Sequence, residues 1–549
     1  MSLRNICMAS LILLLSYILL CAANETPETI DTDYDQSKNM QNCASVSPYN
    51  ELPVHNPRPT RYTINFDINP NFNRAYGVTN IMITVENPTR DISLHAYGLR
   101  IVQRWIFLTA INTFSVEKYA FIGYRYCKDS QILDLRFDKI IVAGTYNLTI
   151  HFNVIYSPRN NIVKYTYQEN GNNHETTRLF ITRINAARRI FPCWDEPGLK
   201  AIFNISVKHP RNVGVISNMP MILKEYYDQY SDWIYFEDTP LISPFNIFIA
   251  LLETTHGFAL NPVSKIDFIW HMEIQDNQLI DAINTITLVD RYLTSITNLP
   301  NILPRRNYML FPNNTIKTME YFGFVIYSEK DAPYNEHFDF PGRKIYIDEV
   351  ISHQMARQPF IVVATQSRWA DLWLGESLLK LYSHYVMNEI YSGLQLMDLY
   401  TIQILQSTFR YETTCRMQAL SEYNVQIADE IDAVLCSPWY YNKGYALLRM
   451  IECIITRDEF QLAVRRYLDK FKFRSATLYD FWIILQRMLD NRDNQLFNIK
   501  EIMDTWLTKR YYPVMQVFYD SKNNIVRLNI TGSVDMMKST WMIPITCTI

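Results

Sequence analysis

The sequence predicts a multidomain α+β protein, in which an antiparallel β domain precedes a mainly helical domain and the first strands of a further β domain. Three observations support this prediction. The chain has 549 residues, which is too long for one hydrophobic core. Short alternating apolar segments dominate residues 48–258, whereas residues 259–512 mainly carry apolar side chains at helical spacing. Alternation returns after Pro513.

The β assignment of residues 48–258 depends on runs in which every second residue is apolar. In an antiparallel sheet with one buried face, this alternation directs the apolar side chains into the core. Pro, Asn, Asp and Gly separate the runs, as expected for turns. The clearest runs are Tyr62–Ile68, Thr79–Val85, Thr145–Val154 and Ala201–Val207.

Residues 259–512 are predicted to form a mainly helical domain, because apolar residues recur there three and four positions apart. Five segments show this spacing: Leu279–Leu299, Arg343–Gln358, Ser367–Met387, Tyr445–Ile455 and Ile499–Arg510.

Residues 513–549 are predicted to form strands again. The alternating segments are Val514–Tyr519, Ile525–Ile530 and Trp541–Ile545. Two or three short strands cannot bury a useful core alone. We therefore expect an incomplete β domain at this end of the chain.

The first residues resemble a secretory signal peptide. Arg4 precedes an apolar run, Ile6–Ala23, and small residues end that run. We therefore assign residues 1–23 to a signal peptide and residues 24–47 to an acidic linker. The run is also just long enough to span a bilayer, so an uncleaved anchor, and with it membrane association, stays open. Either reading predicts a secreted protein or one on the extracellular face of the plasma membrane.

Composition limits the classes of partner. The formal net charge is −3 and the basic residues are dispersed, which argues against a nucleic-acid partner. Of nine cysteines, two lie in the apolar leader and none of the others has CxxC spacing. In an oxidising compartment some of these should form disulfides, and their odd number leaves one unpaired. Sequons for N-glycosylation occur at Asn147, Asn204, Asn313 and Asn529.

Five separated motifs carry a family resemblance: Ala187–Pro197 (ARRIFPCWDEP), Lys317–Gly323 (KTMEYFG), Val350–Tyr385, Tyr441–Gly444 (YNKG) and Trp541–Thr546 (WMIPIT). In this order and spacing they resemble the aminopeptidase N family of gluzincin zinc metallopeptidases. The resemblance implies a thermolysin-like catalytic-type domain, a β-sandwich start after residue 512, and zinc as the family's cofactor. It also implies that Arg188, Arg189, Asp195 and Glu196 fix the interface between the first two domains.

The zinc-site helix of this family is only partly retained. In its HExxH motif, two histidines four residues apart bind the metal, and the Glu between them is the general base. Here His353 is present, but Gln354 replaces the general base and Arg357 replaces the second ligand. The third ligand of the family corresponds to Glu376, which is retained.

These two replacements predict loss of metal and of catalysis. A glutamine amide cannot accept the proton, and loss of a general base costs about 10²- to 10⁴-fold in rate. The Arg357 guanidinium has no lone pair for a metal and stays charged. At about 4 Å and an effective dielectric of about 20 it would repel a divalent ion by about 8 kcal/mol. We therefore expect no bound zinc, with Arg357 hydrogen-bonded to Glu376 instead.

Substrate recognition is also predicted to have changed. By resemblance, Glu320 occupies the position that binds a peptide's free α-amino group, and Tyr441 the position that stabilises the oxyanion. Lys317 and Thr318 replace a Gly-Ala pair, so their side chains should narrow the cleft. Arg183 stands where the family has a second anchor for the amine, and its charge would repel an ammonium group.

The sequence thus predicts a degenerate, C-terminally truncated relative of these peptidases that binds extracellular peptides or proteins as a scaffold. Two alternatives remain at this stage: a working zinc metalloaminopeptidase that removes N-terminal residues, and an incomplete gene product with no stable role.

Overall fold

The computed structural model describes residues 29–32, 51–68, 74–111, 117–155, 162–169, 172–181, 186–253, 257–261, 266–270, 279–299, 306–311, 319–328, 331–414, 419–422, 438–490, 498–523, 525–531 and 541–545. The predicted signal peptide, most of the predicted linker, and the candidate residues Arg183, Lys317 and Thr318 lie outside the described residues.

The first part of the chain is a β domain of three sheets. Its strands are β1 Thr29–Asp31, β2 Arg58–Ile68, β3 Arg74–Val85, β4 Thr89–His95, β5 Leu99–Ala110, β6 Lys118–Tyr119, β7 Phe121–Cys127, β8 Ile132–Ile141, β9 Gly144–Ile155, β10 Ile162–Glu169, β11 Asn172–Ile181, β12 Ile202–Pro210, β13 Val213–Ser217, β14 Met221–Tyr226, β15 Ser231–Phe236 and β16 Phe248–Glu253. The largest sheet has nine strands in the order β1-β5-β9-β3-β2-β12-β15-β14, with β6 beside β5.

Alternation explains why these segments form sheets with one buried face. Along β2, Tyr62, Ile64 and Phe66 are buried while the residues between them are partly exposed. Most neighbouring strands are antiparallel, and β2 also pairs in parallel with β12. The apolar faces meet in one continuous hydrophobic cluster.

A short strand lies within the segment predicted as a linker. Strand β1 pairs with β5, and Ile30 is 1% exposed in the core of the β domain. Next to it, Thr32 Oγ1 donates to Leu99 O (2.9 Å) and accepts from Leu99 N (2.7 Å). Pairing with β5, the buried Ile30 side chain and these two hydrogen bonds hold the strand in place. The strand has only three residues, which is too short for an alternating pattern to be recognised in the sequence.

The second part of the chain begins with a five-stranded sheet, ordered β17-β18-β19-β21-β20. Its strands are β17 Gly257–Asn261, β18 Ile266–Trp270, β19 Arg306–Phe311, β20 Met319–Tyr321 and β21 Phe324–Ser328. A further pair is β22 Ala364–Gln366 with β23 Arg474–Ala476. The described α-helices are α1 Ile280–Thr297, α2 Pro341–Arg357, α3 Leu372–Ile390, α4 Leu396–Thr401, α5 Ser407–Thr414, α6 Pro438–Ile455, α7 Arg457–Lys470, α8 Leu478–Asp490 and α9 Ile499–Leu507.

Helix α3 is the centre of this helical domain. Nearly all of its residues from Leu372 to Met387 are buried, and they join one large cluster with side chains of the surrounding helices. Helix α2 packs beside α3 and continues into a π-helical turn, Gln358–Val363. Within the described part of the chain, no helix is both long and apolar enough to cross a membrane. The observed architecture confirms the predicted multidomain α+β fold.

The last described segments form a small hairpin rather than a domain. Strand β24 Val514–Asp520 pairs with β25 Ile525–Thr531, and most of its apolar side chains are exposed. The prediction of a third strand at Trp541–Ile545 is wrong, since this segment has no strand structure. Side-chain contacts hold it instead: the Trp541 ring lies 5.1 Å from that of Trp506, whose Nε1 donates to Met542 O (3.0 Å).

The described cysteines include one in a disulfide bond and two with free thiols. Cys127 is disulfide-bonded, whereas Cys193 and Cys453 are free. The expectation that some cysteines pair is thus confirmed. Burial of Cys193 raises the pKa of its thiol well above the ordinary value, which makes it unreactive.

Candidate functional site

The candidate site lies where the end of α2 meets the start of α3. His353, Gln354 and Arg357 occupy the last turns of α2, and Glu376 lies in the second turn of α3. Residues four apart share one helix face, so His353 and Arg357 point to the same side. The short connection of one π-helical turn and strand β22 brings Glu376 back against that side.

The central contact is an ion pair between Arg357 and Glu376. Arg357 Nη1 donates to Glu376 Oε1 at 2.8 Å, as expected from the sequence. The two side chains are 19% and 8% exposed. Burial by itself would lower the pKa of Arg357, but the carboxylates of Glu376 and Glu320 raise it above its ordinary value. The guanidinium therefore stays charged and remains on the carboxylate.

His353 and Gln354 are partly buried beside this ion pair. Burial, with the positive charges of Lys380 and Arg357, lowers the pKa of His353 to about 3. The imidazole is consequently neutral at physiological pH. Gln354, next along the helix, offers an amide where a proton-accepting carboxylate would be needed for general-base catalysis.

Glu320 lies on β20 and is 7% exposed. Neither carboxylate oxygen has a hydrogen-bond partner among the described residues, and the side chain lines a cavity of about 70 Å³. Burial raises the pKa of Glu320 well above its ordinary value, although Arg357, the Gln358 amide and Arg306 oppose this. The Gln358 amide donates its hydrogen bond to Tyr321 O (2.9 Å) and not to Glu320. Its effect on the Glu320 carboxylate is therefore electrostatic.

These residues do not fit a catalytic zinc ion. Such a site needs three protein ligands with free lone pairs and an open position for water. His353 supplies a neutral nitrogen. Glu376 Oε1, however, accepts a hydrogen bond from Arg357, and the guanidinium group of Arg357 cannot be a metal ligand. Among the described residues, no group of three or more His, Cys, Asp or Glu side chains is arranged to hold a metal ion.

Tyr441 lies in the first turn of α6, partly buried and near enough to Arg357 to act on it electrostatically. The motif around it anchors α6. A Cβ atom at Gly444 would come within 2.1 Å of Ser377 Oγ, so only glycine allows α6 to approach α3 this closely. Lys443 forms a buried ion pair with Glu412 (2.7 Å). The motif thus anchors the start of α6, which carries Tyr441, against α3.

For Arg188 and Asp195, the prediction that the ARRIFPCWDEP segment fixes the interface between the first two domains is wrong, because the contacts of this pair lie within the β domain. Arg188 Nε donates to Asp195 Oδ2 (2.9 Å) and Nη1 to Ser130 O (3.5 Å), with both side chains of the ion pair at most 1% exposed. Two more contacts also stay within the β domain: Arg189 over the Tyr97 ring (4.8 Å), and Leu52 N to Glu196 Oε1 (2.5 Å). These contacts join residues within the β domain.

The contacts to the helical domain come from the residues just after that segment. A Cβ atom at Gly198 would lie 2.6 Å from Ser367 O, so the backbones touch there. Lys200 Nζ donates to Val362 O and Val363 O, both at 2.9 Å. The π-helical turn that ends the candidate site is therefore held by the β domain.

Sequence reasoning missed Lys380, which lies one turn after Glu376 on the same face of α3. Its Nζ donates to Asn442 Oδ1 (2.5 Å), and its charge acts on His353 more strongly than that of Arg357 does. The spacing of four residues from Glu376 was the available signal.

Six side chains form a polar ladder between α2 and α3: Glu349, His353 and Arg357 on α2, and Glu376, Lys380 and His384 on α3. Each set repeats every four residues along its helix. Arg357 pairs with Glu376, and Glu349 lies near His384. Between these two contacts, Lys380 acts electrostatically on His353. His384 Nε2 lies 3.9 Å from Glu349 Oε1. Burial keeps the pKa of His384 well below its ordinary value, so that contact is not an ion pair.

Two sequence models of known protein families match this chain. The sequence model of the Peptidase M1 N-terminal domain matches residues 58–245, and that of the Peptidase family M1 domain matches residues 282–506.

Three similar proteins carry aminopeptidase names. Aminopeptidase M1-A of Oryza sativa subsp. japonica is 26% identical over 435 residues, which cover 76% of this chain and 47% of that protein. Glutamyl aminopeptidase of Rattus norvegicus is 26% identical over 488 residues, covering 86% and 49%. The Homo sapiens glutamyl aminopeptidase is 26% identical over 453 residues, covering 80% and 45%. The chain spans about half the length of these relatives. Because the two matched domains make up well over half of the chain, this protein belongs to the zinc-dependent peptidase M1 family of aminopeptidases.

Proposed function

We propose that this protein is a non-catalytic member of the family that acts outside the cell as a peptide- or protein-binding scaffold. The observation that carries the proposal is the Arg357–Glu376 ion pair at 2.8 Å. It places a permanent cation where the family's second ligand would be, and it engages the third ligand position. Repulsion of about 8 kcal/mol at about 4 Å, for an effective dielectric of about 20, would offset much of a zinc site's binding energy.

The absence of a general base supports the same proposal independently. Gln354 cannot accept a proton from water, and the positive charges of Lys380 and Arg357 act on the neighbouring His353. Even if a metal were forced into the cleft, the missing base alone would cost about 10²- to 10⁴-fold in rate. Tyr441 would then have no tetrahedral intermediate to stabilise.

Peptide binding is proposed because the recognition side of the cleft keeps a buried acid. Glu320 is 7% exposed and its oxygens have no hydrogen-bond partner among the described residues, so a donor from a ligand would remove a desolvation cost. The side chains of His353, Gln354 and Tyr441 are only partly buried, which leaves them open to a ligand. The apolar leader, Ile6–Ala23, supports an extracellular location.

The test combines turnover with binding. The secreted chain is incubated with alanyl and leucyl chromogenic substrates in the presence of added zinc, and we expect no turnover. Short peptides with free and with acetylated N-termini are then titrated calorimetrically, and we expect measurable binding of at least one class. Turnover that a metal chelator abolishes would establish the alternative, a working metalloaminopeptidase. Binding of neither peptide class would refute the peptide-binding part and leave protein partners.

A further inference from the structure

One sequon lies on the outer face of the nine-stranded sheet. Asn147 and Thr149, the acceptor and the hydroxyl residue of that sequon, are on β9, which pairs with β5 on one side and β3 on the other. Both are partly exposed, whereas Tyr146 and Leu148 are buried. Because side chains alternate along a strand, the acceptor and the hydroxyl residue share the face that points away from the core.

Two exposed apolar side chains flank Asn147 on this outer face. Met82 on β3 lies directly opposite Asn147 and is 37% exposed. On the other side, Phe107 of β5 lies opposite Thr149, which makes it the diagonal neighbour of Asn147. Phe107 is 46% exposed. Opposite and diagonal neighbours have Cβ atoms about 5 Å and about 7 Å apart, which is within reach of a sugar attached to Asn147 Nδ2.

The sequon at Asn204, in the same sheet, has different surroundings. Asn204 on β12 lies opposite Thr63 of β2, and its side-chain amide donates to Asp238 Oδ1 (2.9 Å). A sugar on Asn204 would therefore meet polar groups, whereas a sugar on Asn147 would meet Phe107 and Met82. The two sequons form a matched pair that differs in apolar surroundings.

We propose that Asn147 carries an N-linked glycan whose first sugar packs on Phe107 and Met82, so that the glycan covers an apolar patch of the sheet. The donor is an oligosaccharide joined through C1 of an N-acetylglucosamine to a lipid diphosphate. Asn147 Nδ2 loses a proton and bonds to C1, the bond from C1 to the diphosphate oxygen breaks, and the lipid diphosphate leaves. The modification depends on entry into the secretory pathway, which is part of the proposed function, and not on loss of catalysis.

The expected size follows from burial of apolar surface. A sugar ring that covers a half-exposed phenyl ring removes about 60 Å² of apolar surface from water, which corresponds to about tenfold in an equilibrium constant. The packed glycan should therefore be held on the sheet for most of the time, and an enzyme that cleaves at Asn147 Nδ2 should reach the bond about tenfold less often.

The test uses the full chain secreted from a eukaryotic cell. A peptide N-glycosidase is added to the native protein, and the conversion of each glycosylated asparagine to aspartate is followed by mass spectrometry of peptides. Rates are normalised to those of the denatured chain. We expect Phe107→Ser to accelerate release at Asn147 about tenfold and to leave release at Asn204 unchanged. Met82→Ser should give a smaller acceleration at Asn147.

The control variant is Ile122→Ser, on β7 of another sheet, where the side chain is 59% exposed and should not affect release at Asn147. Circular dichroism checks folding, and Phe107→Thr replaces Phe107→Ser if that variant does not fold. An unmodified Asn147 in a chain with a glycan on Asn204 or Asn529 would overturn the inference alone. An unchanged release rate at Asn147 in the Phe107 variant would do the same. A chain without any glycan would overturn both the inference and the extracellular part of the proposed function.

Discussion

Two arginine–carboxylate ion pairs in this chain differ in their surroundings. One lies in the core of the β domain, and the other lies at the candidate functional site of the helical domain. Arg188 and Asp195 are 1% and 0% exposed, and the guanidinium of Arg188 also donates to Asp195 O (3.0 Å) and Ser130 O (3.5 Å). Arg357 and Glu376 are 19% and 8% exposed, and Arg357 makes one hydrogen bond with the described residues. The first pair lies in the core of the β domain, whereas the second, less buried pair joins the end of α2 to the start of α3.

The difference shows that the structural role of a buried ion pair depends on how many other hydrogen-bond acceptors its guanidinium group contacts. Arg188 uses several of its donors on backbone and side-chain acceptors, so it organises the loop around it. Arg357 makes one hydrogen bond with the described residues and also interacts electrostatically with Glu320. We infer that it compensates inherited carboxylates rather than holding the fold together.

The largest effect is expected for Arg188→Ala. It leaves Asp195 buried without its cation, and breaking one side of a buried pair costs about 3–5 kcal/mol. The free energy of unfolding is measured by urea titration followed by circular dichroism. Arg188→Lys should also destabilise, because an ammonium group cannot reach the same set of acceptors. A cost below about 1 kcal/mol would remove the distinction between the two pairs.

A smaller effect is expected for Arg357→Ala, about 2 kcal/mol, because Glu376 has some access to solvent after its partner is lost. A double-mutant cycle with Glu376→Gln should give a coupling energy of about 1–3 kcal/mol. The control is Arg136→Ala, which removes an exposed pair with Asp91 and should change stability by no more than about 0.5 kcal/mol. If Arg357→Ala matched that control, the ion pair would not stabilise the cleft.

Gly444→Ala tests whether the wall of the cleft is as tightly packed as the geometry indicates. The added Cβ would meet Ser377 Oγ at 2.1 Å, and overpacking of this kind costs about 1–3 kcal/mol. Gly123→Ala is the matched control, since nothing lies within 4 Å of its Cβ position. Equal thermal midpoints for the two variants would contradict the close packing of α6 on α3.

The smallest effect concerns pH. Burial raises the pKa of Glu196 to about 7 from an ordinary value of 4.5, and the Leu52 hydrogen bond only partly opposes this. The folded state therefore keeps the proton between pH 4.5 and 7 where the unfolded chain has released it, so this stability is lost as pH rises through 7.

Glu196→Gln should consequently reduce the fall in melting temperature between pH 5 and pH 8. Glu117→Gln, on an exposed side chain, is the control and should leave the fall unchanged. The same fall in Glu196→Gln as in the unmodified chain would argue against a buried, proton-holding carboxyl beside the Arg188 pair.

The sequence located the candidate site because the family's motifs can be aligned with this chain residue by residue. The Arg357–Glu376 pair could be predicted, since a helix of known phase and a retained ligand position bring the two residues together. Lys380 is harder to predict, because a lysine on a helix is usually solvated, and its four-residue spacing from Glu376 does not reveal that it donates a hydrogen bond to Asn442 on α6.

The errors have physical causes as well. The Arg188 motif shows that its side chains are needed, but not which domain supplies their partners. Alternation at Trp541–Ile545 predicted a strand, yet the Trp541 side chain found a partner in Trp506 and the backbone did not pair. Periodicity describes a preference of the chain, whereas pairing also needs a neighbouring strand.

The central claim is that the cleft does not hold a metal, and zinc content tests it most directly. The unmodified, folded chain is equilibrated with excess zinc, freed of unbound metal by dialysis, and analysed for zinc per chain by mass spectrometry of the element. We predict far less than one zinc per chain. One tightly held zinc per chain, lost on Glu376→Gln, would contradict the account.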